Sequence, residues 1–258
     1  MTRTIAISNQ KGGVGKTTTA ANLAGALAEE GLRVLCLDLD PQANLTVALG
    51  LVPDGEPPTM RDVMLGSGTA LAAAIRPTTT PGVDVVPSDL DLADSEARLI
   101  SAFGRETVLR ESMRDGIRDA YDYVLIDCPP TLGLLTINAL AVADEVIIPV
   151  QAQYFSLKGF RSLFNLMAQV RSHGLNADLR LLGLLPTFID SRTKLGRDMM
   201  EEMHALGDFH VFTTVIRQSV RLGEAALAGR PVTSWAPTSD AANMYRALAR
   251  EVIDRAEA

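Results

Sequence analysis

With 258 residues, 47% hydrophobic content and a mean hydropathy of +0.14, the chain can bury a large core, which excludes intrinsic disorder. Its apolar runs are short and interrupted, so no segment is expected to span a membrane, and the first strand begins too early to leave room for a signal peptide. The net charge of −7 argues against a surface that grips nucleic acid everywhere, although residues 151–230 hold ten Lys/Arg against seven Asp/Glu and could form a local basic face.

Taken in chain order, Thr4–Ser8 reads as a short strand, Lys11–Thr17 as a glycine-rich turn and Thr17–Glu30 as a helix ended by Gly31. Arg33–Asp38 is apolar on both faces, as a parallel strand covered by helices must be; Pro41 stops it. Residues 45–82 look less regular, with short helices at Met60–Leu65 and Ala70–Ile75. Val83–Pro87 is a strand. Leu90–Ile100 and Glu106–Asp119 are amphipathic helices, the second with Val108, Leu109, Met113 and Ile117 at helical spacing. Tyr123–Asp127 is a second buried strand, and Gly133–Val142 a helix. Strands at Glu145–Val150 and Leu179–Leu185 are each followed by a helix, Ser156–His173 and Thr193–Leu206. A short strand at Val211–Val215 precedes helices at Val220–Ala228 and Ala241–Ala256. Cys36 and Cys128 stand alone in or beside strands, as core residues of a reduced, cytoplasmic protein would.

Strands alternating with helices predict an α/β fold: a doubly wound, mostly parallel sheet with helices on both faces, over a single unit spanning residues 1–258. Ligands of such sheets sit beyond the carboxyl ends of the strands. Three loops follow strands, at Lys11–Thr17, Asp38–Asn44 and Asp127–Pro130, and are expected to meet at one edge.

The first loop has the composition of a phosphate cradle. Gly12, Gly13 and Gly15 let the backbone wrap an anion closely, and the helix starting near Lys16 adds its positive dipole end. Lys16 supplies charge for the β- and γ-phosphates and Thr17 a hydroxyl for Mg²⁺. Asp127, after the apolar run Val124–Ile126, fits a carboxylate that holds Mg²⁺, an ion that keeps several waters and few protein ligands. The match to G-x-x-x-x-G-K-[ST] is imperfect, with Gln10 in place of the first glycine and an additional lysine, Lys11.

Lys11-Gly-Gly-Val-Gly-Lys-Thr-Thr18 is a deviant Walker A motif, and in it the chain resembles the ParA/MinD family of P-loop ATPases. That resemblance implies the P-loop NTPase fold, an ATPase with ATP and Mg²⁺ as cofactors, and nucleotide contacts from Lys11, Gly12, Gly13, Val14, Gly15, Lys16, Thr17 and Thr18. Asp38-Leu-Asp40 resembles switch I. By resemblance Asp40 serves hydrolysis and, with Thr17 and Asp127, the metal; Asp38 either supports the metal's shell or satisfies loop N–H groups. Asp127-Cys-Pro-Pro130 resembles switch II. Lys11, by resemblance, crosses a homodimer interface to the partner's phosphates, joining Lys16 and Asp40 as catalytic residues.

Pro149–Gly159 also looks like a family segment, with Gln153 where an acid is frequent. Phe212–Ala225 looks like the base-binding region, but Ile216-Arg-Gln-Ser219 lacks the family's proline. Arg217 and Gln218 are the expected base contacts. With no room for an N-terminal helix-turn-helix, the nearest likeness is to small Soj-like ParA proteins. It implies an ATP-dependent dimer that binds double-stranded DNA without sequence preference, near the nucleoid, and a ParB-type partner that stimulates slow hydrolysis. Arg192 and Arg221 match DNA-touching positions, and Lys194, Arg197, Arg217 and Arg230 could join the same face, with Lys194 taken alongside the two arginines as a DNA contact. Two alternatives stay open. A MinD-like membrane regulator would need a basic amphipathic C-terminal helix, which Glu251–Ala258 does not offer. An ATPase that positions a protein cargo would use the same motor.

Overall fold

The apolar runs pair side by side because their backbone groups, buried on both faces, have no water to bond. In the computed structural model, which describes residues 2–53, 56–65, 68–113, 116–151, 157–189, 193–205, 207 and 209–255, seven strands form one sheet. They are β1 (Arg3–Ile7), β2 (Val34–Asp38), β3 (Arg76–Pro77), β4 (Val83–Val86), β5 (Tyr123–Asp127), β6 (Glu145–Gln151) and β7 (Arg180–Thr187). Their order is β3-β4-β2-β5-β1-β6-β7, and every neighbouring pair is parallel except β3 with β4.

Between them lie α1 (Lys16–Glu29), α2 (Asn44–Ala48), α3 (Met60–Met64), α4 (Leu71–Ala74), α5 (Leu92–Leu99), α6 (Val108–Ser112), α7 (Ile117–Ala120), α8 (Leu134–Val142) and α9 (Leu157–Ser172), and β7 is followed by α10 (Lys194–Ala205). After β7 and α10 come α11 (Val220–Leu227), α12 (Val232–Trp235) and α13 (Asp240–Asp254). Alternation along the strands splits the core in two. Leu35, Leu37, Val124, Ile126, Val146 and Ile148 face α3 to α10, whereas Ile5, Ile7, Val34, Cys36, Leu125 and Ile147 face α1, α2 and α11 to α13. The sheet is thus covered on both sides, as the uninterrupted apolar strands require.

Several local expectations need correction. Glu106–Asp119 is not one helix: Leu109, Met113 and Ile117 are buried as the spacing predicts, but the chain forms α6 and α7, and Gly116 opens α7 in the left-handed region at φ 77°. Val211–Val215 is not a strand. It touches β7 through the isolated bridge Leu184↔Val211, and a second isolated bridge joins Thr187 to Ile216. Between these points the N–H groups of Thr213 and Thr214 donate to the Glu251 carboxylate of α13, at 2.7 and 3.0 Å, in place of a ladder. The stretch read as irregular contains α2 and the antiparallel β3, and the last third contains α12.

The carboxyl-terminal helix packs as its spacing predicts. Met244, Tyr245, Leu248 and Val252 of α13 are buried, with Ile253 against them. Among the described residues no helix is long and apolar enough to cross a membrane.

Gly25 marks where α1 meets α12. A Cβ there would stand 2.4 Å from Pro231 Cβ and 2.9 Å from Thr233 Oγ1. Alanine in a helix interior ordinarily gains up to about 1 kcal/mol over glycine, but overpacking costs about 1–3 kcal/mol. Gly25→Ala is therefore expected to lower stability by roughly 1–2 kcal/mol, measured as a lower urea midpoint at an unchanged slope.

Candidate active site

Register gathers the predicted loops. β5 lies between β1 and β2, with Ile7 opposite Asp127 and Asp38 opposite Asp127. The three strands end level, so the chain leaves all of them at the same edge. The expectation drawn from the strand ends is met.

The glycine-rich loop is fastened at several points. Asn9, 6% exposed, donates through Nδ2 to the Pro149 carbonyl at 2.8 Å and accepts from Lys11 N–H at 3.0 Å. Val14 is buried, and its carbonyl accepts from Thr187 Oγ1 at 2.8 Å. Gly13 and Gly15 adopt φ 75° and 90°, and Gly15 is the N-cap of α1. Only glycine enters that region without strain. A Cβ at Gly15 would in addition stand 3.1 Å from Phe188 Cζ.

Lys16 is 6% exposed, and its ammonium donates to the Lys11 carbonyl at 3.2 Å. Burial lowers its pKa, against the opposing charges of Asp127, Cys128 and Asp40. Thr17 Oγ1 donates to Asp127 Oδ2 at 2.6 Å. Asp127 is fully buried, and its other oxygen, Oδ1, has no hydrogen-bond partner among the described residues. Burial and then the charge of Asp38 push its carboxyl well above the usual range, while the Thr17 hydroxyl and Lys16 pull the other way. A buried carboxylate with one oxygen committed and one orphaned is costly without a cation. A hydroxyl and a single carboxylate beside a phosphate cradle fit Mg²⁺, which takes its remaining ligands from water and phosphate.

The two carboxylates of the second loop have separate roles. Asp38 is wholly buried and serves the loop. Its Oδ1 accepts from Asp40 N–H at 3.2 Å, and its Oδ2 from Thr46 N–H and Oγ1 at 2.8 and 2.7 Å. Of the two readings of Asp38, satisfaction of loop N–H groups is the one the geometry shows. Burial nonetheless pushes its pKa up to about 7. Asp40 accepts from Gln42 N–H at 2.9 Å and lines the cleft. Ala43, at φ 52°, then turns the chain into α2.

A cleft of about 590 Å³, within the range of small-molecule sites, opens onto Lys16, Thr17 and Asp40, with Asp127 and Asp38 buried behind its lining. Its lining includes Gly12, Gly13, Gly15, Lys16, Thr17, Thr18, Asp40, Gln42 and Pro130 together with the apolar Val47, Ala48, Phe188, Leu222, Ala226 and Leu227. Lys11 is exposed on the loop. Arg217 is not in this cleft: it opens on a separate cavity with Asp240 and Met244 and donates its N–H to Met244 Sδ at 3.2 Å. Gln218 is exposed and lines neither. Lys194 is exposed at the start of α10, and Arg221 is exposed on α11, paired with Glu224 at 2.7 Å. Arg230 lines the nucleotide-sized cleft. Arg192 and Gln153 lie outside the described residues. Asn9, Thr46, Thr187 and Phe188 were not singled out by sequence. An Asx residue between a strand and a glycine-rich turn is a signal for Asn9; the other three have no local one.

A parallel sheet with a glycine-rich loop leading into a helix, a buried lysine and a hydroxyl–carboxylate pair at its edge defines a P-loop nucleoside triphosphatase. A family model described as an AAA domain matches residues 2–181. The chain is 43% identical over 252 residues, 98% of each chain, to the sporulation initiation inhibitor protein Soj of Bacillus subtilis. It is 45% identical to the chromosome-partitioning ATPase Soj of Thermus thermophilus, covering 99% of this chain and 97% of that one. A solved structure of cobyrinic acid a,c-diamide synthase from Mycobacterium smegmatis, with bound ADP and magnesium, superposes with a TM-score of 0.86 at 36% identity, over 100% of this chain and 96% of that one. The chain belongs to the ParA/MinD family of P-loop ATPases, related to the partitioning proteins. Its cofactors are ATP and Mg²⁺.

Thr17 and Asp127 would hold Mg²⁺, which would supply positive charge at the phosphate oxygens during transfer. Asp127→Asn keeps the size of the side chain and removes its charge. It is expected to lower Mg²⁺-dependent phosphate release by roughly a hundredfold or more, read across a magnesium titration; an unchanged rate and magnesium midpoint would separate Asp127 from the ion.

Proposed function

We propose that this ATPase is a DNA-partitioning switch. Two copies close over ATP, the closed pair holds duplex DNA without reading its sequence, and a ParB-type partner on the cargo accelerates hydrolysis and so releases the DNA. The observation that carries this reading is the division of labour between two lysines in one loop. Lys16 is buried and turned into its own cradle, onto the Lys11 carbonyl. Lys11 contributes its main chain to that cradle and is exposed at its mouth. A cation there is placed to reach phosphates held by a second copy, as an arginine finger does in trans. ATP then binds the pair better than the single chain, and hydrolysis shifts the population back.

Lys11, Lys16 and Asp40 are the catalytic residues of this reading. The loop from Lys11 to Thr18 holds the nucleotide, and Thr17, Asp40 and Asp127 serve the metal. Arg221, Lys194 and Arg192 contact DNA phosphates. The eight residues of α11 support a link between the two sites, because Leu222 and Ala226 line the nucleotide cleft while Arg221 is exposed. The packing of α13 favours DNA over a lipid surface, since the apolar face of that helix is spent on the core. The protein then works in the cytoplasm, on the nucleoid.

The test is binding to duplex DNA of unrelated sequences with ATP, ADP or no nucleotide. Wild type is expected to bind only with ATP, and to lose roughly a hundredfold or more in affinity between 50 and 200 mM salt. Lys11→Ala is expected to stay monomeric in sedimentation and to lose DNA binding. Arg221→Glu is expected to keep the ATP-dependent dimer but bind DNA more weakly. Binding that ignores both ATP and salt, or an unchanged ATP-dependent dimer in Lys11→Ala, would refute the proposal.

A further inference from the structure

We infer that Glu96 of α5 is a positioning residue for ATP hydrolysis: its carboxylate stands in for the missing cap of α8 and so fixes the loop that runs from Asp127 past the cleft. The inference rests on the ATPase activity and on the cleft being its site, not on DNA binding. Three observations carry it.

The first is that α8 starts without a cap of its own. Gly133, its N-cap, offers no side chain, and the first turn holds no acid. The first N–H groups of a helix have no partner within it, and its positive end favours an anion. Glu96 supplies one from a different helix. Leu135 N–H donates to Glu96 Oε1 at 3.5 Å, long for a hydrogen bond, so the attraction is chiefly that of a charge for a helix end. Among the described residues the Glu96 carboxylate has no other hydrogen bond and no ion pair.

The second is the space kept for it. A Cβ on Gly133 would stand 2.1 Å from Glu96 Oε1 and 3.1 Å from Cδ. Gly133 has φ −83° and ψ −167°, extended backbone that any residue adopts. Glycine is therefore required here by the carboxylate lying against it, not by the course of the chain.

The third is where α8 begins. The loop Cys128–Leu132 joins Asp127 to Gly133. Its near end is fixed: Asp127 is held by Thr17 at 2.6 Å, and Cys128 N–H donates to the Ile7 carbonyl at 3.2 Å. Its far end follows α8, because Thr136 Oγ1 donates to the Thr131 carbonyl at 2.6 Å. Between the two, Pro130 lines the cleft. α5 is itself anchored by Leu92, Ser95 and Leu99, all buried. Glu96 thus sets the far end of a loop whose near end carries the Asp127 carboxylate. The phosphate cradle and Lys16 belong to other elements, so a shift of this loop slows the reaction and spares nucleotide binding.

The experiment measures phosphate release across a Mg²⁺–ATP titration, affinity for a non-hydrolysable ATP analogue by calorimetry, and the urea midpoint. It compares wild type with Glu96→Ala, Glu96→Gln, Gly133→Asp and the double variant Glu96→Ala/Gly133→Asp. Glu96→Ala is expected to lower kcat roughly tenfold, the equivalent of one lost helix cap, with KM and analogue affinity within about twofold of wild type. Glu96→Gln, which keeps an acceptor and the volume without the charge, is expected to lose about threefold in kcat and gives the same comparison without an empty site. Gly133→Asp alone is expected to lower kcat as well, because two carboxylates compete for one place. The double variant is expected to recover kcat to within about threefold of wild type, since aspartate is a preferred N-cap and fits the space that Glu96 leaves. An unchanged kcat in Glu96→Ala, even with a lower urea midpoint, would make Glu96 a stabiliser only and overturn the inference. So would a loss that falls on KM and analogue affinity instead of kcat, or a double variant no better than Glu96→Ala.

Discussion

A carboxylate buried at the end of a central strand needs a cation, and much of this molecule's active edge follows from that need. Asp127 ends β5, the strand between β1 and β2, and is level with Ile7 on one side and Asp38 on the other. Its Oδ2 is held by Thr17 from the first turn of α1, and its Oδ1 is unsatisfied among the described residues. Leaving a buried charge in that condition is expensive. The site is therefore organised around something positive that the polypeptide does not itself complete, since Lys16, the nearby cation, is spent on the main chain of its own loop. Mg²⁺ carried in with ATP would meet that need and would tie binding of the metal to binding of the nucleotide.

Other elements hold this edge in shape without touching the reacting atoms. Asn9 ties the phosphate loop to β6, and Thr187 ties it to β7. Asp38 sets the second loop by binding Thr46, whose hydroxyl also accepts from Ser88 N–H after β4 at 2.9 Å. The helices that flank the cleft, α2 and α11, are followed by Gly50 and Gly229, which meet backbone to backbone; a Cβ on Gly229 would stand 2.5 Å from Gly50 Cα. The loop bearing Asp40 and the helix bearing Arg221 are thus joined through a contact that admits no side chain.

The parts of this design set by neighbouring residues were legible in the sequence. The phosphate loop declares itself by glycine spacing and by what flanks it, and β5 runs over Tyr123–Asp127 as its apolar run predicts. The faces of α6, α7 and α13 follow helical spacing because burial repeats with the helix. What could not be read depends on distant partners. The break between α6 and α7 turns on one glycine inside an otherwise good helical pattern. The segment after Val211 has strand-forming residues, yet two of its N–H groups go to Glu251, some 40 residues later. Asp38 and Asp40 look alike in sequence; only Thr46 and burial tell them apart. The positive φ of Phe188 gives no local sign, because its N–H is held by the distant Ile216 carbonyl. The expectation of base contacts at Arg217 and Gln218 rests on family likeness alone, in a stretch where the sequence departs from the family's pattern.

The central claim is that the Thr17–Asp127 pair is the metal seat of an ATP site. Its most direct test is crystallography of the protein with a non-hydrolysable ATP analogue and Mn²⁺ in place of Mg²⁺, locating the ion by its anomalous scattering. The account predicts one manganese peak against the Thr17 hydroxyl and the Asp127 carboxylate, beside the analogue's phosphates. An analogue bound in the glycine-rich loop with manganese elsewhere, or with none, would contradict it.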